Sequence, residues 1–153
     1  MEETNAKKMT GTPPLTQSIG QAENALRAVL DSLLGKTGIT YVQWVTLNML
    51  VRGGSAVQQD QLVRQISSAL KLDMPTVLAT LGELAALELV ATPPGDPARV
   101  ELTTLGDVQF HSLRQSINSI TERLYGDLPM DDLATTHRVL GIVTERANVE
   151  LGR

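Results

Sequence analysis

The sequence predicts a mainly α-helical fold with one small β-hairpin, and three observations carry that prediction. Aliphatic Leu, Val, Ile and Ala supply nearly all of the 42% apolar content, which favours helices packed through leucine ridges. Apolar residues recur at helical spacing through most of the chain. A two-residue period occurs only once, on the two sides of the turn-rich Pro93-Pro94-Gly95-Asp96-Pro97.

The first helix is expected from Leu15 to Leu34, where apolar residues at 15, 19, 22, 26, 29, 30 and 33 form one stripe. Gly35 and Gly38 end it, and the Thr40 side chain is placed to cap the next helix. That second helix, Tyr41 to Val51, carries Val42, Trp44, Val45, Leu47, Met49, Leu50 and Val51 around nearly its whole circumference, as a central helix does. Arg52-Gly53-Gly54-Ser55 breaks it. A third helix follows with Leu62, Val63, Ile66 and Leu70 on one side and ends near Lys71. Asp73 is an N-cap with Pro75 in the first turn, and Val77, Leu81, Leu84 and Leu87 form the inward stripe of a fourth helix. Two helices joined by so short a turn make a helix-turn-helix candidate.

Leu89 to Thr92, the proline turn and Arg99 to Thr103 then read as strand, turn and strand. From a cap at Thr103, Leu105, Val108, Leu113, Ile117, Ile120 and Leu124 mark a long helix to about Tyr125, interrupted by Gly126 and Pro129. Met130, Leu133, His137, Leu140, Thr144, Ala147 and Leu151 line a last one. Four helices, a hairpin and two helices give a winged helix-turn-helix over 40–103 within a single domain, 15–152. The flanking helices 15–35 and 104–152 have few partners in so small a core, and exposed apolar surface costs about 25 cal/mol per Å². They are expected to pair with a second copy in a homodimer.

Composition excludes several function classes. The 153 residues contain no cysteine, which removes a disulfide scaffold, a zinc finger, an iron–sulfur site, a cysteine nucleophile and a thiol redox switch. Four aromatic residues are too few for RNA recognition on stacking platforms. The segment 1–14 reads as a flexible tail without a signal h-region, and no run of 18 apolar residues occurs, so a cytoplasmic location is expected. Gly35-Lys36-Thr37 lacks the glycine a phosphate loop needs five residues upstream, since position 30 is leucine, and no GxGxxG, GxSxG or HExxH is present. No enzyme and no cofactor are predicted.

Three segments resemble the MarR (multiple antibiotic resistance regulator) family of winged-helix transcription factors. Gly38-Ile39-Thr40 followed by Gln43-Trp44-Val45-Thr46-Leu47-Asn48-Met49-Leu50 is similar to that family's second helix. Ile66 through Val77 matches the spacing of its helix-turn-helix, and Leu102-Thr103-Thr104-Leu105-Gly106 its junction after the wing. The resemblance covers roughly residues 15 to 151. It implies a dimer that sets its fourth helix in the major groove and its wing along the neighbouring backbone or minor groove, released by a small ligand. On that basis Thr76 and Ala79 approach base edges, Gln59 and Lys71 contact phosphate, and Arg99 lies at the wing. The resemblance also implies a cleft where Tyr41, Trp44, His111 and Arg114, with Phe110 nearby, would bind a small aromatic ligand.

The chain departs from the family where the latter offers polar and basic residues on its reading helix. The corresponding positions here are Thr76, Leu78, Ala79, Gly82 and Glu83, and the wing keeps a single arginine in Asp96-Pro97-Ala98-Arg99. From Ser55 to Thr103 there are three basic and six acidic residues, a net of −3, whereas DNA affinity rests on neutralised phosphates. An outward Leu78 would suit a protein partner, and a rotated helix would bury Leu78 and leave Thr80 or Glu83 outward. A second function class therefore stands beside the regulator of pseudopalindromic double-stranded DNA: a winged-helix protein-interaction module that has lost direct DNA binding. A small-molecule carrier is a third. Asp107 and His111, four residues apart, suit a surface pair better than a metal site, which needs three or four ligands. His137 lies in the stripe of the last helix, as an interface histidine does.

Overall fold

The computed structural model describes residues 13–153; residues 1–12, and with them most of the expected tail, lie outside the described residues. The described chain divides into two compact units, one ending at Arg114 and the other comprising Gln115–Arg153.

The first unit begins with α1 (Leu15–Gly35), of which Leu34 is buried. The chain turns through Gly38, whose φ of 72° is the left-handed conformation that glycine adopts without a Cβ penalty. Helix α2 (Tyr41–Arg52) opens with a capping box. The Gln43 amide donates to Thr40 Oγ1 at 3.2 Å, and the Thr40 amide donates to Gln43 Oε1 at 3.0 Å. Trp44, Leu47 and Leu50 of α2 are buried, so this helix occupies the centre of the unit, as its all-round apolar pattern predicts. The buried Thr46 hydroxyl is satisfied within the helix by donating to the Val42 carbonyl at 2.8 Å.

Beyond the Gly53-Gly54 break lies a strand that the sequence does not signal, β1 (Ala56–Gln58). Three residues are too short to display a period, and β1 is made by long-range pairing: Ala56, Val57 and Gln58 register with Glu101, Val100 and Arg99. Helix α3 (Gln59–Leu70) buries Leu62, Val63 and Ile66 and stops at Lys71, which adopts a left-handed φ of 55°. Helix α4 (Met74–Ala86) is capped by Asp73, whose carboxylate accepts from the Thr76 amide at 2.7 Å. Its buried side is Val77, Thr80, Leu81 and Leu84.

Leu87, expected on that inward stripe, lies past the helix end and is 48% exposed. The chain turns there through Glu88, at a φ of 61°, and Leu89 takes the inward place with 1% exposure. Strands β2 (Val90–Ala91) and β3 (Arg99–Leu102) form the hairpin, shorter than the sequence suggests, and β1 adds to its other side to give an antiparallel sheet of order β1-β3-β2.

Thr103 welds the hairpin to α5 (Thr104–Tyr125). Its amide donates to the Leu89 carbonyl at 3.1 Å, its hydroxyl donates to the Glu88 carbonyl at 2.6 Å, and its Oγ1 accepts from the Gly106 amide at 2.9 Å. These bonds draw α5 so close to the turn between α4 and β2 that a Cβ on Gly106 would overlap the Leu89 carbonyl. The Leu-Thr-x-x-Gly spacing thus has a packing cause. Phe110 and Leu113 of α5 complete the core of this unit.

The second unit holds the last turns of α5 and α6 (Met130–Leu151). No residue of α6 is buried, and Met130, Val149 and Leu151 are 79%, 57% and 72% exposed. Among the described residues no helix is long and apolar enough to cross a membrane.

Gly106→Ala forces backbone against backbone and is expected to lower unfolding stability by about 1–3 kcal/mol. Urea denaturation followed by circular dichroism reads this, and an unchanged midpoint would contradict the close approach.

Candidate nucleic-acid interface

Helix α4 buries Val77, Thr80, Leu81 and Leu84 and turns Thr76, Leu78, Ala79, Gly82, Glu83 and Ala85 outward. Of the two rotations that the sequence leaves open, the chain adopts the one with Leu78 outside, at 44% exposure, and Thr80 inside, at 6%. Burying Thr80 is tolerated because its hydroxyl donates to the Thr76 carbonyl one turn back, at 3.1 Å.

The two polar residues on the outward face, Thr76 and Glu83, each bond within the protein, Thr76 through its backbone amide and Glu83 through its carboxylate. The Asp73 carboxylate accepts from the Thr76 amide at 2.7 Å, and the proximity of Thr76, side chain and backbone, holds the Asp73 carboxyl below the usual carboxylate range. The Glu83 carboxylate accepts from Gln43 Nε2 at 2.8 Å. Gln43 is 5% exposed, so the same side chain that caps α2 reaches across to α4. Sequence reading placed Glu83 among outward residues and missed this link, because no local pattern connects residues 40 positions apart.

The remaining expected contacts sit around this face. Gln59 is the first residue of α3, and its amide donates to the Ala98 carbonyl at 2.9 Å, tying that helix end to the wing. Lys71 is exposed at the turn between α3 and α4. Arg99 lies at the base of β3, where Nη1 donates to the Ala56 carbonyl at 2.9 Å and Nε pairs with Asp96 Oδ2 at 3.2 Å. This arginine therefore staples the proline turn to β1 while its side chain stays 42% exposed. An open groove of about 270 Å³ runs between α4 and the sheet, lined by Leu78, Gly82 and Ala85 on one side and by Val90, Ala91 and Thr92 on the other.

The expected ligand residues are distributed differently. Trp44 is buried, and its ring stacks on Phe110 with centroids 5.2 Å apart. Phe110 and His111 form a T-shaped pair with centroids 5.5 Å apart, so Phe110 is the ring that joins Trp44 to His111. Tyr41 carries the Arg27 guanidinium 3.4 Å above its ring, a contact between α1 and α2 that sequence reading did not anticipate. Arg114 is half-buried one turn beyond Phe110. His111 Nδ1 lies 2.9 Å from the Asp107 carbonyl and 3.3 Å from its carboxylate, both side chains well exposed. Among the described residues no group of three or more His, Asp or Glu is arranged to hold a metal ion. His137 is exposed on α6.

Comparison of the sequence with family models and with curated proteins gives no match. Comparison of the structure does. The transcriptional regulator PA4135 is 24% identical with a TM-score of 0.67, over 88% of this chain and 98% of that one. A mutant MarR from E. coli complexed with operator DNA is 22% identical with a TM-score of 0.67, over 85% and 93%. NadR in complex with 4-hydroxyphenylacetate is 17% identical with a TM-score of 0.71, over 88% and 98%. The chain has the winged-helix fold of these MarR-type regulators.

Proposed function

We infer that this protein is a cytoplasmic, homodimeric transcription regulator that binds pseudopalindromic duplex DNA and is released by a small ligand; it is not an enzyme and needs no cofactor. The observation that carries this reading is the placement of α4: capped by Asp73 and packed through Val77, Leu81 and Leu84, it turns its other face outward beside a three-stranded wing. A relative of the same fold is named as complexed with operator DNA. In the proposed complex α4 enters the major groove with Thr76 and Ala79 at base edges, Gln59 and Lys71 meet phosphate, and Arg99 follows the wing towards the minor groove.

Dimerisation is supported by the apolar residues that α1 and α6 leave exposed, among them Leu15, Leu26 and Val29 at 47%, 40% and 39%. Ligand control is supported by NadR, named as complexed with 4-hydroxyphenylacetate. Here Tyr41, His111 and Arg114 would contact a small aromatic acid, with Trp44 behind them. A second reading, a protein-interaction module docking through Leu78, is favoured by that residue's 44% exposure and by the net of −3 around it.

Two experiments test this. Fluorescence anisotropy of the full chain against duplexes from its own upstream region, with scrambled duplex as control, is expected to show sequence-specific, salt-sensitive binding that small aromatic acids reverse. Lys71 already has the backbone of a glycine, so Lys71→Gly removes charge while keeping the turn. In a dimer it should flatten the log–log salt slope by about two units. Binding absent even at low salt would overturn the regulator in favour of the interaction module. Sedimentation at micromolar protein is expected to give the mass of two chains, and a monomer would remove the dimer.

A further inference from the structure

The outward face of α4 presents carbon. Thr76, Leu78, Ala79, Gly82, Glu83 and Ala85 form it, and α4 contains no lysine or arginine. The Glu83 carboxylate accepts from Gln43 Nε2, so the acidic group of this face is turned to the protein and not held out towards a ligand. What remains is the small Thr76 side chain with its methyl, the Leu78 isobutyl group, the Ala79 and Ala85 methyls, and the bare backbone of Gly82, which has open space where a Cβ would stand. The groove beside them is continued by Val90, Ala91 and Thr92.

A helix of this kind lacks the donors and acceptors that discriminate bases by paired hydrogen bonds. In the major groove of B-DNA the apolar feature is the C5-methyl group of thymine, and aliphatic side chains contact it. Residues three apart on a helix rise about 4.5 Å, close to a single base step of about 3.4 Å, so Thr76 and Ala79 can address neighbouring pairs while Leu78 sits beside them. Gly82 lets the backbone of the third turn approach without a side chain in the way.

Resting on the DNA-binding reading above, we propose that this protein reads its half-site chiefly through thymine methyl groups, with Leu78 and Ala79 as the specificity-determining residues and the Thr76 methyl beside them. Its target half-sites carry two or more thymines on neighbouring base pairs under α4. Apolar outward residues and DNA recognition are then compatible, and Leu78 needs no protein partner.

The test starts from the duplex that the full chain selects from a randomised library. Each thymine of a half-site is then replaced by deoxyuridine, which deletes the methyl group and leaves every hydrogen-bonding atom in place. At two or more positions affinity is expected to fall about fourfold per methyl, the factor that burying one such group supplies. In Leu78→Ala, whose side chain is exposed and whose thermal melting should be unchanged, at least one of those positions is expected to become insensitive to the methyl group. Specific binding that stays within twofold across all deoxyuridine duplexes would overturn methyl readout and leave the DNA-binding reading standing. So would a selected half-site without thymine. A selection that returns no preferred sequence and no binding would overturn both, and is thereby distinguished.

Discussion

The hydrogen bond from Gln43 Nε2 to Glu83 Oε2, 2.8 Å long, couples the start of α2 to the far half of α4. Helix α4 is apolar on nearly every side: Val77, Leu81 and Leu84 face in, while Leu78, Ala79 and Ala85 face out. The inward set is the larger, so burial favours the observed rotation, and the apolar outward residues narrow that preference. Two polar anchors add to it. Asp73 fixes the first turn through Thr76, and Gln43 holds the third turn through Glu83.

The same anchors alter what the acidic composition means. By charge count, the segment that would face DNA repels it. Yet Glu83 points its carboxylate at α2, Asp73 is occupied at the α4 terminus, and Asp96 is paired with Arg99. Three of the six acidic side chains thus serve the architecture, stiffening the cap, the helix rotation and the wing turn. Charge bound into internal contacts still contributes to the long-range field but does not meet a phosphate directly. The surface left to a partner is aliphatic and shaped, with cations at its margins.

Much of the fold was legible in the sequence because helical periodicity and caps are local. Thr40, Asp73 and Thr103 were readable as caps, and each makes the expected bond to the amide three residues on. What was not legible depends on distant partners. Strand β1 exists through its pairing with β3, the hydrogen bond that anchors Glu83 of α4 comes from a residue 40 positions away, and the stacking of Trp44 on Phe110 joins two helices separated by the whole winged module. Leu87 was misplaced because its spacing continues the stripe, whereas the left-handed Glu88 ends the helix and gives the inward position to Leu89. On the outward face of α4 the residue types were plain, but the occupation of the Glu83 carboxylate was not.

A double-mutant cycle between Gln43→Ala and Glu83→Ala, read by urea denaturation, tests most directly whether α4 is pinned. If the helix rotation depends on this bond, the two substitutions are expected to be non-additive, with a coupling energy of about 1 kcal/mol. Additive effects, within about 0.3 kcal/mol, would mean that apolar packing alone sets the face of α4 that looks outward.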